Sequence, residues 1–427
     1  MSGYRLERGG LIDRARVLDF SFDGTAYRGF HGDTLASALI ASGMRLFGRS
    51  FKYHRARGIV TAGSAEPNGL VELREGARKE PNTPMTMIEL YDGLVANSQN
   101  RWPSLNFDVG AINQLASPIF VAGFYYKTFM WPKAFWEKLY EPMIRKAAGL
   151  GRATHEPDPD RYEKAYAHCD VLVIGAGPTG LMAALTAARS GARVLLADEG
   201  AIFGGSLLGE NEEIDATSGV EWAQEVAAEL ASLPQVTLKP RTTVFGWYDD
   251  NIFGAVERVA DHKIEPGAHE PRQRYWRILT KRAILASGAE ERPMVFGGND
   301  RPGVMLASAV RTYVNRYAAT PGQTGVVFTN NDSGYRTARD LRAKGIRVAA
   351  VFDTRKDTGK LDAGGAPVVL GAAISDVNGG RGVDRVAFDR GRGQEHLECD
   401  FVAMSGGFNP NVHLACHRGA KPLWNED

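Results

Sequence analysis

Cysteine is scarce in this chain: three cysteines stand among 427 residues, and they are Cys169, Cys399 and Cys416. They lie far apart and form no CxxC pair. The sequence therefore predicts no disulfide framework and fits a reducing compartment. No cysteine precedes Cys169, which leaves residues 1–168 without a thiolate.

An excess of charge of one sign is also lacking, because 51 Lys and Arg residues balance 50 Asp and Glu residues. Such a balance argues against a non-specific nucleic-acid surface and against an acidic partner. We therefore predict that the chain binds no nucleic acid.

Long apolar runs are missing too. The N-terminus is charged and has no apolar stretch of signal-peptide length. The run from Val171 to Ala188 contains three glycines and a proline, and Lys127, Pro132 and Lys133 break the run from Ile119 to Trp136. Neither run resembles a membrane span, so we predict a soluble, cytoplasmic protein without a membrane partner.

Common hydrolase and metal motifs are absent from the sequence, which has no HExxH, no GxSxG and no clustered Cys/His motif with metal-ligand spacing. His413 and His417 are four positions apart, a spacing that would put both on one helix face. No further ligand stands nearby, so surface or core histidines are the favoured interpretation. The basic and aromatic run at 52–57 is interpreted as a solvated face or a domain contact. We predict no catalytic residue and no metal site in this chain.

Residues 15 to 75 predict a small β-rich domain. The stretch ARVLDFSFDG is a strand that ends in a turn at Asp23-Gly24, and AYRGF follows as the second strand of a hairpin. Thr34 then caps an amphipathic helix that Gly43 closes, and a further alternating strand begins at Gly69. Hairpin, helix and strand in this order are typical of a β-grasp domain.

Residues 80 to 165 show no clean periodicity and contain Trp102, Trp131 and Trp136 among many aromatics. Two interpretations stay open: a segment that packs between domains or against a partner subunit, and an aromatic-rich internal linker. A polar, Pro-rich stretch from His155 indicates a boundary. We predict a β-grasp domain at 1–100, a linker at 101–167 and a dinucleotide-binding domain at 168–427.

From about residue 168 the pattern becomes α/β, with a βαβ unit whose first strand leads into Gly175-Ala-Gly-Pro-Thr-Gly180. Here Gly175 permits the tight turn, Gly177 lets the backbone approach a pyrophosphate, and Gly180 allows close helix–strand packing. The helix N-terminus offers N–H groups and the positive end of its dipole to phosphates. The sequence therefore predicts that this turn binds the ADP half of a dinucleotide.

Later strand ends are predicted to contribute to the same site. A carboxylate of Asp198 or Glu199, at the end of the second strand, would accept hydrogen bonds from the adenosine ribose hydroxyls. Small-residue turns after further strands would let backbone pass close to the cofactor. The predicted cofactor-binding residues are Gly175, Ala176, Gly177, Pro178, Thr179, Gly180, Asp198, Glu199, Gly204, Gly205, Ser287, Gly288, Gly406 and Gly407.

A second βαβ unit is predicted from 325 to 353, and it lacks the glycine fingerprint. The chain reads Thr329-Asn-Asn-Asp-Ser-Gly334 at that place. Side chains at the first two glycine positions would obstruct a pyrophosphate. We therefore expect one bound dinucleotide, which argues against an NAD(P)H-to-flavin reductase working within the chain.

The order GAGPTG, DE, FGGSL, ASGAEERP and SGGFNP resembles the two-dinucleotide-domain flavoprotein fold of glutathione-reductase-like enzymes. The stretches FDGTAYRGFHGDTLASALIASG and GRSFKYHRARGIVTAGSAEPNGLVEL closely resemble the start of the α subunit of heterotetrameric sarcosine oxidase. The resemblance implies a Rossmann-like α/β fold preceded by a β-grasp, ferredoxin-like domain. Related amine-dehydrogenase subunits carry a [2Fe–2S] cluster in that domain, and such a cluster needs four thiolates. None can bind here, so we expect a structural or assembly module.

The resemblance further implies a complex that converts sarcosine, tetrahydrofolate and O2 to glycine, 5,10-methylenetetrahydrofolate and H2O2. Its β subunit would carry FAD, FMN would lie at the α–β interface, and γ and δ subunits would complete it. The Rossmann unit of this chain would hold NAD tightly without turnover, with Ser206 and Val244 near the nucleotide. The chain alone is expected to be inactive.

The family's α subunit continues into a folate-binding, aminomethyltransferase-like domain, whereas this sequence stops at Asp427. We therefore expect an N-terminal portion or a short form that does not bind folate. Two alternatives stay open. One is the α subunit of a related dye-linked amine, opine or proline dehydrogenase with FAD at the same glycines, and the other is a non-catalytic assembly scaffold.

Overall fold

A computed structural model of the chain describes residues 3–118, 131–391 and 393–424. The chain divides into two compact units, Met1–Asp158 with Pro293–Gly406, and Pro159–Arg292 with Gly407–Asp427. These units group segments by contact, so the domain ranges expected from the sequence stay predictions.

The first unit begins with a mixed sheet. Its strands and those of a small hairpin beside it in sequence are β1 (Asp13–Phe22), β2 (Thr25–His31), β3 (Gly48–Arg49), β4 (Ala56–Arg57), β5 (Leu70–Leu73), β6 (Glu80–Pro84) and β7 (Leu94–Ser98). The sheet has the order β2–β1–β7–β5–β6, and β7 pairs with β1 in parallel. Asp23 and Gly24, both at positive φ, make the β1–β2 turn.

Helix α1 (Leu35–Ala41) follows the hairpin, and every one of its residues is buried. The Thr34 hydroxyl accepts a hydrogen bond from the Ser37 N–H at 3.1 Å, as the sequence predicts for this cap. Hairpin, helix and later strands thus confirm the predicted β-grasp order. Helix α2 (Glu141–Ala147) lies further along in the same unit.

The second unit is built on a six-stranded sheet in the order β12–β9–β8–β15–β14–β13. Its strands, with two short pairs beside it in sequence, are β8 (Tyr162–Ile174), β9 (Val194–Ala197), β10 (Glu213–Ile214), β11 (Thr217–Ser218), β12 (Val236–Lys239), β13 (Thr242–Trp247), β14 (Ile252–Glu257), β15 (Gln273–Leu285) and β16 (Ala289–Glu291). The four neighbouring strands β12, β9, β8 and β15 are parallel to one another. Val173 packs with helices α3 (Pro178–Arg189) and α4 (Gly219–Ser232), whereas Leu172 and Ile174 face the opposite core.

The chain then returns to the first unit. Its strands there are β17 (Val304–Leu306), β18 (Thr324–Thr329), β19 (Arg347–Asp353), β20 (Val368–Leu370), β21 (Ala373–Asn378), β22 (Arg385–Asp389), β23 (Gln394–Glu398) and β24 (Phe401–Ser405). A parallel sheet has the order β17–β24–β18–β19–β20, with helices α5 (Ala307–Tyr317) and α6 (Ser333–Ala343) between its strands in sequence. One continuous core joins this part to the β-grasp part of the unit. Strand β25 (Phe408–Pro410) and helix α7 (His413–Cys416) belong to the second unit.

Strand β8 begins at Tyr162, earlier than the expected start near residue 168. Residues 162–164 are exposed and residues 165–168 alternate between half-buried and exposed. Because charged residues interrupt the Tyr and Ala residues, positions 162–168 give no continuous apolar signal. They are strand because they pair in parallel with the first half of β15.

The predicted linker falls partly outside the described residues, since 119–130 are not among them. In the described part, Trp102 is 68% exposed and Trp131 is 83% exposed. Within the described ranges, the helices are too short or too polar to cross a bilayer.

Candidate dinucleotide-binding site

The turn after β8 has the geometry that the glycine pattern predicts. Gly175 has a φ of 98°, a conformation that side chains disfavour. A Cβ at Gly175 would also collide with the carbonyl oxygen of Ala286, and a Cβ at Gly180 would collide with that of Gly175. Both positions therefore require glycine for the fold itself.

Gly177 is different, because the fold does not require its glycine. Its φ of −71° is ordinary, and a Cβ there would come no closer than 4.0 Å to the Gly205 Cα. Pro178 opens helix α3 at a position where an N–H has no intrahelical acceptor. Ala176 is buried and Thr179 is exposed. The turn thus leaves open backbone at the helix N-terminus, where a phosphate would fit.

Asp198 follows β9 directly and holds the turn through its carboxylate. It accepts hydrogen bonds from the Ala176 N–H at 2.6 Å and from the Gly200 N–H at 2.7 Å. Glu199, the next residue, is half-buried. The structure therefore brings a carboxylate to the predicted place, and it also gives Asp198 a second task of shaping the loop.

Gly204 and Gly205 lie against the same turn. The Gly204 N–H donates to the Ala176 carbonyl at 2.9 Å, and a Cβ on Gly205 would stand 2.8 Å from the Gly177 Cα. Both have positive φ. Ser206 is exposed in the short 3-10 helix Gly205–Gly209.

The end of β15 approaches the turn from the other side. Ala286 donates its N–H to the Ile174 carbonyl at 2.8 Å, which places Ser287 and Gly288 beside Gly175. The Ser287 hydroxyl donates to the Asn411 carbonyl at 2.8 Å, and the Asn411 N–H donates to the Gly288 carbonyl at 3.0 Å. This stretch is therefore held by Asn411, which belongs to the same unit.

Val244, Gly406 and Gly407 stand apart from this cluster in different ways. The Val244 side chain is buried in the core with Ile174 and Ala197. Gly407, at positive φ, accepts a hydrogen bond from the Arg292 N–H at 2.8 Å. Gly406 is the last residue of the other unit. Within the second unit, the structure thus groups the residues from 175 to 205 with Ser287 and Gly288. It leaves Val244 in the core of that unit and Gly407 beside Arg292.

The second βαβ unit, β18–α6–β19, is filled by its own side chains. The Thr329 hydroxyl donates to the Asn331 carbonyl at 2.8 Å, and the Asn331 amide donates to the Ser405 carbonyl at 3.1 Å. A Cβ on Gly334 would lie 2.5 Å from the Thr329 Cβ. The side chain of Thr329, at the position of the first fingerprint glycine, thus occupies the space beside Gly334, at the position of the third.

The carboxylate at the end of β19 is also engaged. Asp353 is fully buried, accepts the Tyr335 hydroxyl at 3.0 Å and pairs with Arg355 at 2.8 Å. Hydrogen bonds from Arg355 to Asp353 raise the pKa of the guanidinium. Asp332, in the loop itself, pairs with Arg355 at 2.7 Å.

The remaining motifs have structural partners. His54 Nδ1 lies 2.6 Å from the Asp108 carboxylate, and Arg57 pairs with Asp300. The Trp247 N–H is 3.5 Å from His417 Nδ1. Among the described residues, no group of three or more His, Cys, Asp or Glu side chains could hold a metal ion.

Two stretches of the chain match described protein families. Residues 15–101 match a 2Fe–2S iron-sulfur cluster binding domain, and residues 170–245 match the FAD dependent oxidoreductases. With the sheet topologies above, these matches confirm a ferredoxin-like domain and a Rossmann-like α/β domain. The first family's cluster does not fit this chain, because residues 15–101 contain no cysteine.

Relatives cover the whole chain. It is 57% identical, over 100% of its length and 43% of the relative's, to the sarcosine oxidase subunit alpha of Rhizobium meliloti (strain 1021). It is 38% identical, over 97% of its length and 40% of the relative's, to that of Corynebacterium sp. (strain P-1). The chain therefore spans less than half the length of these relatives. The crystal structure of L-proline dehydrogenase from P. horikoshii shares the fold, with a TM-score of 0.64 and 18% identity over 99% of this chain and 65% of that one.

Sequence reasoning placed the stretch 283–289 near the cofactor without singling out Ala286, and it missed Asn411; both support the site without belonging to the fingerprint. Ala286 limits the turn at Gly175, and Asn411 fixes Ser287 and Gly288. A small residue at the end of a long β-rich run is a weak signal for the first. No local pattern marks Asn411, because its partner Ser287 lies 124 positions earlier in the chain.

Proposed function

We propose that this chain, which is homologous along its whole length to α subunits of sarcosine oxidase, is the part of such a subunit that holds a dinucleotide. The observation that carries the proposal is the open backbone at Gly177. The fold has no need of glycine there, yet a side chain would fill the place where a pyrophosphate approaches the helix N-terminus.

The proposed ligand is NAD, bound tightly and not turned over. The pyrophosphate would lie on Gly175–Gly180, with Gly204, Gly205 and Ser206 beside it. Asp198 and Glu199 would face the adenosine ribose, and Ser287 and Gly288 would approach from the end of β15. Val244, Gly406 and Gly407 complete the proposed set. When bound, NAD would place its doubly charged pyrophosphate against the turn, and the chain's own residues would bind and orient it.

The proposed setting is a complex with β, γ and δ subunits, in the cytoplasm, that oxidises sarcosine with O2 and passes the one-carbon unit to tetrahydrofolate. FAD and FMN would carry the electrons elsewhere in that complex. The chain covers 43% of its Rhizobium meliloti relative. Because amine oxidation would take place at the FAD of the β subunit, we propose no catalytic residue here and expect the chain alone to be inactive.

FAD at the same glycines is the second candidate. It is favoured by the match of residues 170–245 to FAD dependent oxidoreductases. The ADP half is common to both cofactors, so the turn cannot separate them. This candidate would make the chain the α subunit of a related amine, opine or proline dehydrogenase.

The nature of the bound nucleotide tests the proposal. The 427-residue chain should be purified without other subunits, its visible spectrum recorded, and its nucleotide released by acid and identified by mass. We expect a colourless protein that releases NAD. A yellow chain that releases FAD would overturn the NAD assignment in favour of the second candidate.

A pure scaffold role is distinguished in the assembled complex. If the nucleotide only stabilises the fold, a complex depleted of it will keep full sarcosine-dependent peroxide production but melt at a lower temperature. Loss of subunit assembly would instead assign the site to the subunit interface.

A further inference from the structure

We propose that the loop at residues 58–69, between β4 and β5, is a nest of backbone N–H groups that binds a carboxylate. Glu66 fills this nest from within the loop, and a small free carboxylate anion can replace its side chain. Nothing in the proposed dinucleotide function uses this loop, so the inference stands independently of it.

Four backbone N–H groups converge on the two oxygens of Glu66. Oε2 accepts from Val60 at 2.9 Å and from Thr61 at 2.8 Å. Oε1 accepts from Asn68 at 2.9 Å and from Gly69 at 3.2 Å. The donors are two pairs of consecutive residues, one on each side of the carboxylate. Successive N–H groups that point into one concavity are the geometry of an anion-binding nest.

The carboxylate is nearly sealed from solvent, since Glu66 is 4% exposed. Burial raises the pKa of Glu66, and the hydrogen bonds from the four N–H groups act in the opposite direction. A buried carboxylate is costly unless it is hydrogen-bonded, so these donors are what makes its position tolerable. Equally, removing the carboxylate would leave four N–H donors without this acceptor, that of buried Gly69 and those of half-buried Val60, Thr61 and Asn68.

The same residues fasten the loop to the rest of the first unit. The Val60 carbonyl accepts the Leu306 N–H at 2.9 Å, and the Thr61 carbonyl accepts the Tyr313 hydroxyl at 2.9 Å. The Thr86 hydroxyl donates to the Gly63 carbonyl at 2.8 Å. Val60 and Thr61 donate their N–H groups to Glu66 and offer their carbonyls to Leu306 and Tyr313. The filled nest therefore helps to position β17 and α5 against the β-grasp part.

The loop at 58–69 lies within the stretch that matches a family of cluster-binding domains. Residues 15–101 match a family of cluster-binding domains but offer no thiolate. Nests of backbone N–H groups surround iron–sulfur clusters and phosphates alike, because both are anionic. In this chain a carboxylate of the loop itself satisfies the nest.

Anion rescue in the full-length protein tests the proposal. We expect Glu66→Ala to lower the melting temperature by about 5 °C and to speed hydrogen exchange in peptides from 58–69. Added formate should reverse both changes, because its carboxylate fits the space and satisfies the donors. The matched control is Glu75→Ala, at an exposed position of the same domain, which should neither lose stability nor respond to formate.

Glu66→Gln separates charge from shape. Its amide keeps the size of the side chain but turns a donor toward one N–H pair, so exchange in 58–69 should rise without rescue by formate. The proposal is overturned if either variant exchanges like the wild type in 58–69. It is also overturned if sodium chloride at equal ionic strength rescues Glu66→Ala as well as formate does. Should Glu66→Ala fail to fold in buffer, refolding in formate is the supporting result, and unchanged exchange in Glu66→Gln remains the contradicting one.

Discussion

The two βαβ units of this chain share a strand–turn–helix–strand frame and differ in what fills the turn. At 175–180 the first βαβ unit exposes bare backbone, and Asp198 accepts a hydrogen bond from the Ala176 N–H of that turn. At 329–334 the second βαβ unit places the side chains of Thr329 and Asn331 in the turn. The carboxylate at the end of its second strand, Asp353, is paired with Arg355. The frame alone therefore does not make a nucleotide site. The site depends on a few positions where side chains are missing.

The glycines of the first turn also differ among themselves. Gly175 and Gly180 are required because a Cβ would meet backbone oxygen, whereas Gly177 has room for one. Two glycines thus serve the fold, and the third, Gly177, is the one to which we assign a role in ligand binding. Substitutions in the two turns can separate these roles.

The largest effect is expected for Gly175→Ala. Positive φ and the collision with the Ala286 carbonyl should together lower the free energy of unfolding by about 3 kcal/mol. The variant should also lose its nucleotide. Denaturant unfolding and nucleotide content per chain provide the measurements.

Gly191→Ala is the matched control, because Gly191 has a φ of 86° and open space around its Cβ position. In Gly191→Ala the free energy of unfolding should fall only by the conformational cost of about 1–2 kcal/mol, and the protein should keep its nucleotide. If the two variants lose the same free energy of unfolding, the collision at Gly175 does not contribute to the destabilisation.

Gly177→Asp should remove the ligand and spare the fold. The side chain fits, but its charge would stand where the pyrophosphate lies, so nucleotide content should fall about tenfold or more. Compared without nucleotide, the variant and wild type should unfold within about 0.5 kcal/mol of each other. Gly177→Ala, which adds bulk without charge, should keep more nucleotide than Gly177→Asp, and full occupancy in both would contradict the assigned role.

The smallest effect on the ligand is expected for Asn331→Gly, which attempts to open the second turn. Stability should fall by about 1–2 kcal/mol as the bond to Ser405 is lost. No second nucleotide should bind, because Asp353 stays paired with Arg355 and Tyr335. Isothermal titration with NAD measures the stoichiometry, and binding of a second equivalent would show that Asn331 alone closes the turn.

Sequence reasoning reached the elements whose signals are local. The cap at Thr34, the turn at Asp23-Gly24 and the glycine turn at 175–180 depend on neighbours within a few residues, and the structure has each of them. The β-grasp and Rossmann-like folds followed from their order. The sixteen proposed binding positions themselves stay predictions.

What sequence reasoning missed depends on distant partners. No continuous apolar pattern in residues 162–168 indicates a strand, and what makes them one is their pairing with the first half of β15. The role of Asp198 in shaping the loop could be recognised only from the hydrogen bond that its carboxylate accepts from the Ala176 N–H. The nest around Glu66 required knowing that two dipeptides on either side of it fold back onto one carboxylate.

The parallel pairing of β8 with β15 has a consequence for synthesis on the ribosome. Arg274 and Glu163 are joined across these strands although 111 positions separate them. Strand β8 and the glycine turn must therefore leave the exit tunnel well before the strand that completes their sheet exists. The first unit waits longer still, since its core needs residues from 293 onward. The nascent chain thus exposes apolar strands for many seconds at typical rates of elongation, and it should depend on chaperones to hold them until the later half arrives.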